Sequence, residues 1–138
     1  MADATNKVYY CPVEVTLDLL GSEWKPSLLR QMCAGTDTIG EMRQRLPLVT
    51  RRTLDALLAE LQRDGLVEKT VHSDHRDREA YALTELGARL GPILERLAVL
   101  GVDYAEMRGI ELLDKEAEEP EAIASESPRW EAWSWLPL

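Results

Sequence analysis

Between Thr38 and Leu83 the hydrophobic period changes from helical to strand-like, and few folds accommodate that order. Thr38-Ile39-Gly40-Glu41 has the form of a capping box, with the threonine oxygen accepting from the glutamate N–H and the glutamate reaching back. A short helix is predicted through Leu46, and Pro47, which cannot continue it, ends it. Leu48-Val49 make a tight connection. Thr50 then caps a second helix that runs to Asp64, with Gly65 as its C-terminal stop. From Leu66 to Val71, and again from Glu79 to Leu83, the residues read as strands around the polar turn Ser73-Asp74-His75-Arg76-Asp77-Arg78. Two short helices with so brief a link form a helix-turn-helix, and a strand, charged turn and strand directly behind it form a wing.

Helices are predicted on both sides of this unit. Cys11-Pro12 opens one that carries Val13, Leu17 and Leu20 until Gly21, and Ser22 is placed to cap another. The latter holds Trp24, Leu28, Leu29 and Met32 on one face and ends near Gly35; Cys33, late in it among apolar neighbours, is expected in the core. Thr84 opens a long helix with Leu86, Leu90, Ile93, Leu94, Leu97 and Leu100, with a kink expected at Gly91-Pro92. Its surplus apolar face points to a second subunit. Beyond Gly109 the chain turns to Glu, Ala, Ser and Pro and closes on Trp130, Trp133 and Trp135. The expected division is a domain at 1–108 and an acidic, tryptophan-containing extension at 109–138.

A net charge of −9 looks hostile to nucleic acid until it is located. Residues 1–37 sum to −2, residues 38–81 and 82–102 each to zero, and residues 103–138 to −7. The helix-turn-helix and wing are therefore free to present a locally basic surface. No apolar run approaches the roughly 18 residues of a spanning helix, which leads to the expectation of a cytoplasmic protein without membrane contact. Cys11 and Cys33 are too few for a disulfide framework. His72 and His75 with Asp74 lack the further ligands of a closed metal site, and no nucleophile–histidine pattern or glycine-rich phosphate loop occurs. The expectation is no enzyme, no metal and no cofactor.

On the Arg51 to Asp64 helix, Leu54, Leu57, Leu58 and Leu61 define the buried stripe at about 100° per residue. The opposite side carries Arg52, Ala56, Ala59 and Arg63, a basic and flat face on which two alanines permit close approach to a duplex. Thr50, Arg51 and Arg52 form a first turn that offers backbone N–H groups to a phosphate, Asp55 flanks it, and Arg76 and Arg78 occupy the wing tip. The competing interpretation is a solvated charged face. The position of the helix, second in a helix-turn-helix and followed by a basic wing, favours DNA contact.

These segments together resemble the HxlR family of bacterial winged-helix regulators over roughly residues 9–102. The resemblance is carried by Cys11-Pro12-Val13-Glu14, Leu17-Asp18-Leu19-Leu20-Gly21, Trp24, Leu28-Leu29-Arg30 and Gly40-Glu41-Met42-Arg43. Downstream it continues through Leu46-Pro47, Arg51-Arg52-Thr53-Leu54, Leu57, Leu61, Asp64-Gly65-Leu66-Val67 and Tyr81-Ala82-Leu83-Thr84-Glu85-Leu86-Gly87. It implies a mainly α (α+β) winged helix-turn-helix with a two-stranded wing and N- and C-terminal dimerisation helices. It also implies a homodimer on palindromic double-stranded DNA that controls a nearby promoter, more often as a repressor, and leaves room for a small-molecule effector. Family wings usually carry a proline at the tip, where this chain has Asp74-His75-Arg76-Asp77-Arg78. A winged-helix module that binds protein and not DNA is the alternative, motivated by the net acidity and the tryptophans.

Some members of the family sense oxidants or electrophiles through a cysteine placed like Cys11. Its position just before Pro12, at the positive end of a helix dipole, suits a redox-sensing thiol, while a small packed side chain is the plainer interpretation. The terminal tryptophans leave three roles open: a lid on a ligand pocket, a segment docked on a partner subunit, or an anchor on the protein's own surface.

Overall fold

Most helix ends fall where the chain supplies a cap or a stop. The computed structural model describes residues 7–75 and 78–114. Its elements are α1 (Pro12–Leu20), α2 (Lys25–Cys33), α3 (Ile39–Arg45), α4 (Arg51–Arg63), β1 (Val67–Val71), β2 (Ala80–Leu83) and α5 (Glu85–Arg108). The Thr38 hydroxyl accepts from the Glu41 N–H at 3.2 Å, and the Glu41 carboxylate accepts from the Asp37 N–H at 3.3 Å. The reciprocal bond of the capping box thus lands one residue earlier than in the simplest form of the motif. α4 closes on a full Schellman motif: Gly65, at φ 77°, donates to the Gln62 carbonyl at 3.1 Å, and Leu66 donates to that of Leu61 at 2.9 Å.

α2 departs from expectation at its start and in the placement of Cys33, but it stops where expected: Gly35, at φ 110°, donates to the Met32 carbonyl at 3.1 Å, and Thr36 donates to that of Gln31 at 3.0 Å. Trp24, not Ser22, stands at its N-cap and makes no side-chain cap, and the Ser22 hydroxyl is buried without a hydrogen-bond partner among the described residues. The Ser22 N–H is turned back to the Leu20 carbonyl at 2.8 Å, which ties it to the exit of α1. Cys33 is exposed and not in the core. The buried face of α2 is Lys25, Leu28, Leu29 and Met32, and Cys33 falls about 90° round from its centre, at the last helical residue.

The fold divides after Ala88 into two units. In the first, Leu28, Leu29, Ile39, Met42, Leu54, Leu58, Leu61 and Leu66 are almost completely buried. β1 and β2 pair antiparallel, Val67 opposite Leu83 and Lys69 opposite Tyr81, with a bulge between Lys69 and Val71. Thr38 adds a single bridge to Ala80, and the Tyr81 N–H donates to the Asp37 carbonyl at 2.8 Å. The wing is thereby fastened to the entrance of α3 as well as to the exit of α4. Together the elements form a winged helix. In the second unit α5 continues through Gly91-Pro92, buries Leu90, Leu94 and Ala105, and exposes Ile93, Leu97, Leu100, Tyr104 and Met107.

The entrance of α5 is a tight joint. The Thr84 hydroxyl donates to the Gly65 carbonyl at 2.6 Å and accepts from the Gly87 N–H at 3.1 Å, while the Thr84 N–H donates to the Leu66 carbonyl at 3.0 Å. A Cβ on Gly87 would stand 2.1 Å from that Leu66 oxygen, which requires the backbone to shift. Gly→Ala inside a helix ordinarily stabilises by about 0.5–1 kcal/mol. Gly87→Ala is expected to reverse that sign and destabilise by about 1–3 kcal/mol. Gly101→Ala, with nothing within 4 Å of the added methyl, should stabilise. Urea unfolding of the two variants measures the contrast.

Candidate nucleic-acid interface

The leucine stripe determines which residues of α4 face outward. Leu54, Leu57, Leu58 and Leu61 are each no more than 5% exposed, which turns Arg52, Ala56, Ala59 and Arg63 to the surface, where all four are exposed. The two arginines lie about three turns apart with the alanines between them, so the face is positive at its ends and low in its middle. Arg51 and Asp55 lie on one flank, half-buried, and each is engaged in an interaction within the protein. They are not on the outward face itself. Thr50 is exposed at the N-cap, where its oxygen accepts from the Thr53 N–H at 3.1 Å.

Sequence reasoning missed the other side of the corner. An open cleft of about 540 Å³ lies where α3 meets α4, lined by Arg43, Gln44, Pro47, Val49, Thr50 and Arg51. Val49 is buried and pins the turn, while Arg43, Gln44 and Arg45 are exposed on the last turn of α3. The short link through Pro47 implies that these turns meet. It does not say which side chains of α3 point into the corner. The cleft sets two guanidinium groups, a hydroxyl and the N-terminal end of a helix dipole around one depression, a set that suits a phosphate oxygen and not acid–base or nucleophilic chemistry.

At the wing, Arg78 is exposed and its N–H donates to the His75 carbonyl at 3.0 Å. Arg76 lies outside the described residues. Lys69 is half-buried, paired with Glu79 at 3.1 Å and over the Tyr81 ring at 5.9 Å, so it stiffens the root of the wing. Among the described residues no group of three His, Cys, Asp or Glu is placed to hold a metal ion, and no helix is long and apolar enough to cross a membrane.

Cys11 is half-buried at the N-cap of α1 with extended backbone, and its carbonyl accepts from the Glu14 N–H at 3.0 Å. The segment before it is tied to the helix by a Lys7–Asp18 ion pair, with the Lys7 ammonium 5.1 Å from the Tyr9 ring. Hydrogen bonds from Lys7 and then Tyr9 hold the Asp18 carboxyl below its usual range. That tie is present at neutral pH and is lost as acid protonates Asp18.

The winged helix-turn-helix and its relatives make this a transcriptional regulator and not an enzyme. The chain belongs to the HxlR-like helix-turn-helix family, whose model matches residues 19–108. It is similar to the HTH-type transcriptional regulator YdeP of Bacillus subtilis, 36% identical over 96 residues that cover 70% of this chain and 75% of that protein. It is also similar to YybR of the same organism, 38% identical over 91 residues, covering 66% and 73%. Among solved structures it is similar to the redox regulator HypR in its reduced form (34% identity, 73% of this chain and all of that one, TM-score 0.65).

The cap that starts α4 also shapes the cleft. Thr50→Ala removes the bond to the Thr53 N–H and is expected to cost about 0.5–2 kcal/mol, against much less for Thr50→Ser. Thermal unfolding of both variants tests it.

Proposed function

We propose that this protein is a sequence-specific DNA-binding regulator, acting as a homodimeric repressor on a palindromic operator in the cytoplasm. The observation that carries the reading is the exposed Arg52, Ala56, Ala59 and Arg63 face, opposite a fully buried leucine stripe. In this reading Arg52 and Arg63 reach base edges or flanking phosphates from the major groove, and Ala56 and Ala59 allow the helix axis to come close. Thr50, Arg51 and Arg43 hold a backbone phosphate at the corner, Asp55 screens against a wrong base from the flank, and Arg76 and Arg78 reach phosphates from the wing. Residues 1–108 carry this function and 109–138 are an extension to it; the family match ends at the same place.

The second copy is supported by α5. Its exposed apolar residues Ile93, Leu97, Leu100, Tyr104 and Met107 recur at alternating intervals of four and three, the spacing of a seam between paired helices. Val13 and Leu17 of α1 are also exposed, at 61% and 55%, as suits an N-terminal helix that a partner covers. Cys11 is assigned the oxidant-sensing role, supported by its place at the start of such a helix and by likeness to a redox regulator.

Fluorescence anisotropy on duplexes from the region upstream of its own gene tests the DNA reading. Arg52→Ala should weaken specific binding by about 1–3 kcal/mol, and affinity should fall steeply as salt rises. Binding indifferent to salt and to Arg52 would instead favour the protein-interaction module. Leu97→Asp with Leu100→Asp should halve the mass found by sedimentation equilibrium. Cys11→Ser should bind DNA normally yet no longer release it on peroxide treatment; normal release would remove Cys11 from the mechanism.

A further inference from the structure

We propose that Lys25 is a positioning residue for DNA recognition, whose buried ammonium fixes the roll of α4 about its own axis and thereby the sequence discrimination of its outward face. The proposal rests on the DNA reading above. Lys25 is the first residue of α2 and is only 2% exposed, which is rare for a lysine. Its Nζ lies 3.4 Å from Glu60 Oε1 and 3.4 Å from Asp64 Oδ2, and these carboxylates are themselves 25% and 18% exposed.

Three features give the arrangement its purpose. Glu60 and Asp64 are four residues apart and so stand on one flank of α4, about 90° from the centre of the Arg52–Arg63 face. Both lie at the C-terminal end of the helix, where the dipole disfavours negative charge, so the two carboxylates are tolerable there chiefly because a cation is buried against them. The leucine stripe, in turn, specifies an inner side by close packing, but apolar burial carries no direction of its own. An ammonium placed between two carboxylates of α4 adds a directional restraint on its angle.

The magnitude makes the angle matter. Side chains reach about 5 to 6 Å from a helix axis, so a roll of about 20° carries their tips some 2 Å sideways. Hydrogen bonds to base edges tolerate a few tenths of an ångström. Phosphate contacts, made by flexible side chains to a repeating backbone, tolerate more. Loss of the grip is therefore expected to erode specific binding while sparing non-specific binding. A buried ion pair that contributed only to stability would change both through the folded fraction alone.

The test uses full-length protein and a duplex enriched from a random library by the wild type. Lys25→Met leaves two acids without their cation, so the informative variant is the combination Lys25→Met, Glu60→Gln and Asp64→Asn, compared with Lys25→Arg. Anisotropy titrations on the enriched and on scrambled duplexes give a specificity ratio, and circular dichroism gives the folded fraction. The expected result is a folded triple variant whose affinity for the enriched duplex falls about tenfold or more while that for scrambled DNA does not fall, its net charge being one unit more positive, and a smaller loss for Lys25→Arg. An unchanged ratio in the folded triple variant, or equal losses on both duplexes, would overturn the proposal. A wild type that enriches no sequence would instead defeat the DNA reading beneath it.

Discussion

The burial of one side of α4 is the constraint on which the rest depends. Leu54, Leu57, Leu58 and Leu61 have to leave water together, and a helix that buries them can only turn Arg52, Ala56, Ala59 and Arg63 outward. The other elements hold that helix in place. Leu28, Leu29, Ile39 and Met42 of α2 and α3 are buried in the same unit, the Schellman turn at Gly65 sends the chain directly into β1, and Lys25 pairs with Glu60 and Asp64 on the flank of α4. Function then follows from what is left outside: positive ends, a low middle, and a neighbouring arginine-lined corner.

Helix ends and faces were legible because they are local. Thr38, Thr50 and Gly65 act on residues within a few positions of themselves, and the 100° step of a helix assigns its faces without knowledge of the partner. The features that escaped are tertiary. A lysine at a helix start reads as solvated, and only the fold brings Asp64, 39 positions on, to meet it. Cys33 has apolar neighbours in sequence yet lies off the buried face, and the part of Arg43 in the cleft depends on side-chain direction at a corner. Ser22 has the composition of a cap, but α2 begins only at Lys25, and among the described residues the Ser22 hydroxyl has no partner.

The same joint that begins α5 also touches the end of α4. Thr84 and Gly87 bond and pack on Gly65 and Leu66, the residues that terminate α4, so the long helix cannot start anywhere else. Under the dimeric reading, the helix that carries the partner seam thus begins against the helix that reads DNA.

The most direct measurement places a cutting reagent at the face itself. An iron chelate tethered at Gln62→Cys, at the exposed rim of that face so that its alanines stay small, with Cys11 and Cys33 replaced by serine, cleaves the DNA that lies beside α4. Two cleavage clusters inside the major groove, one helical turn of about 10 base pairs or a multiple apart, are the expected result. Cleavage spread evenly along the duplex, or none on DNA that the protein demonstrably retains, would contradict it.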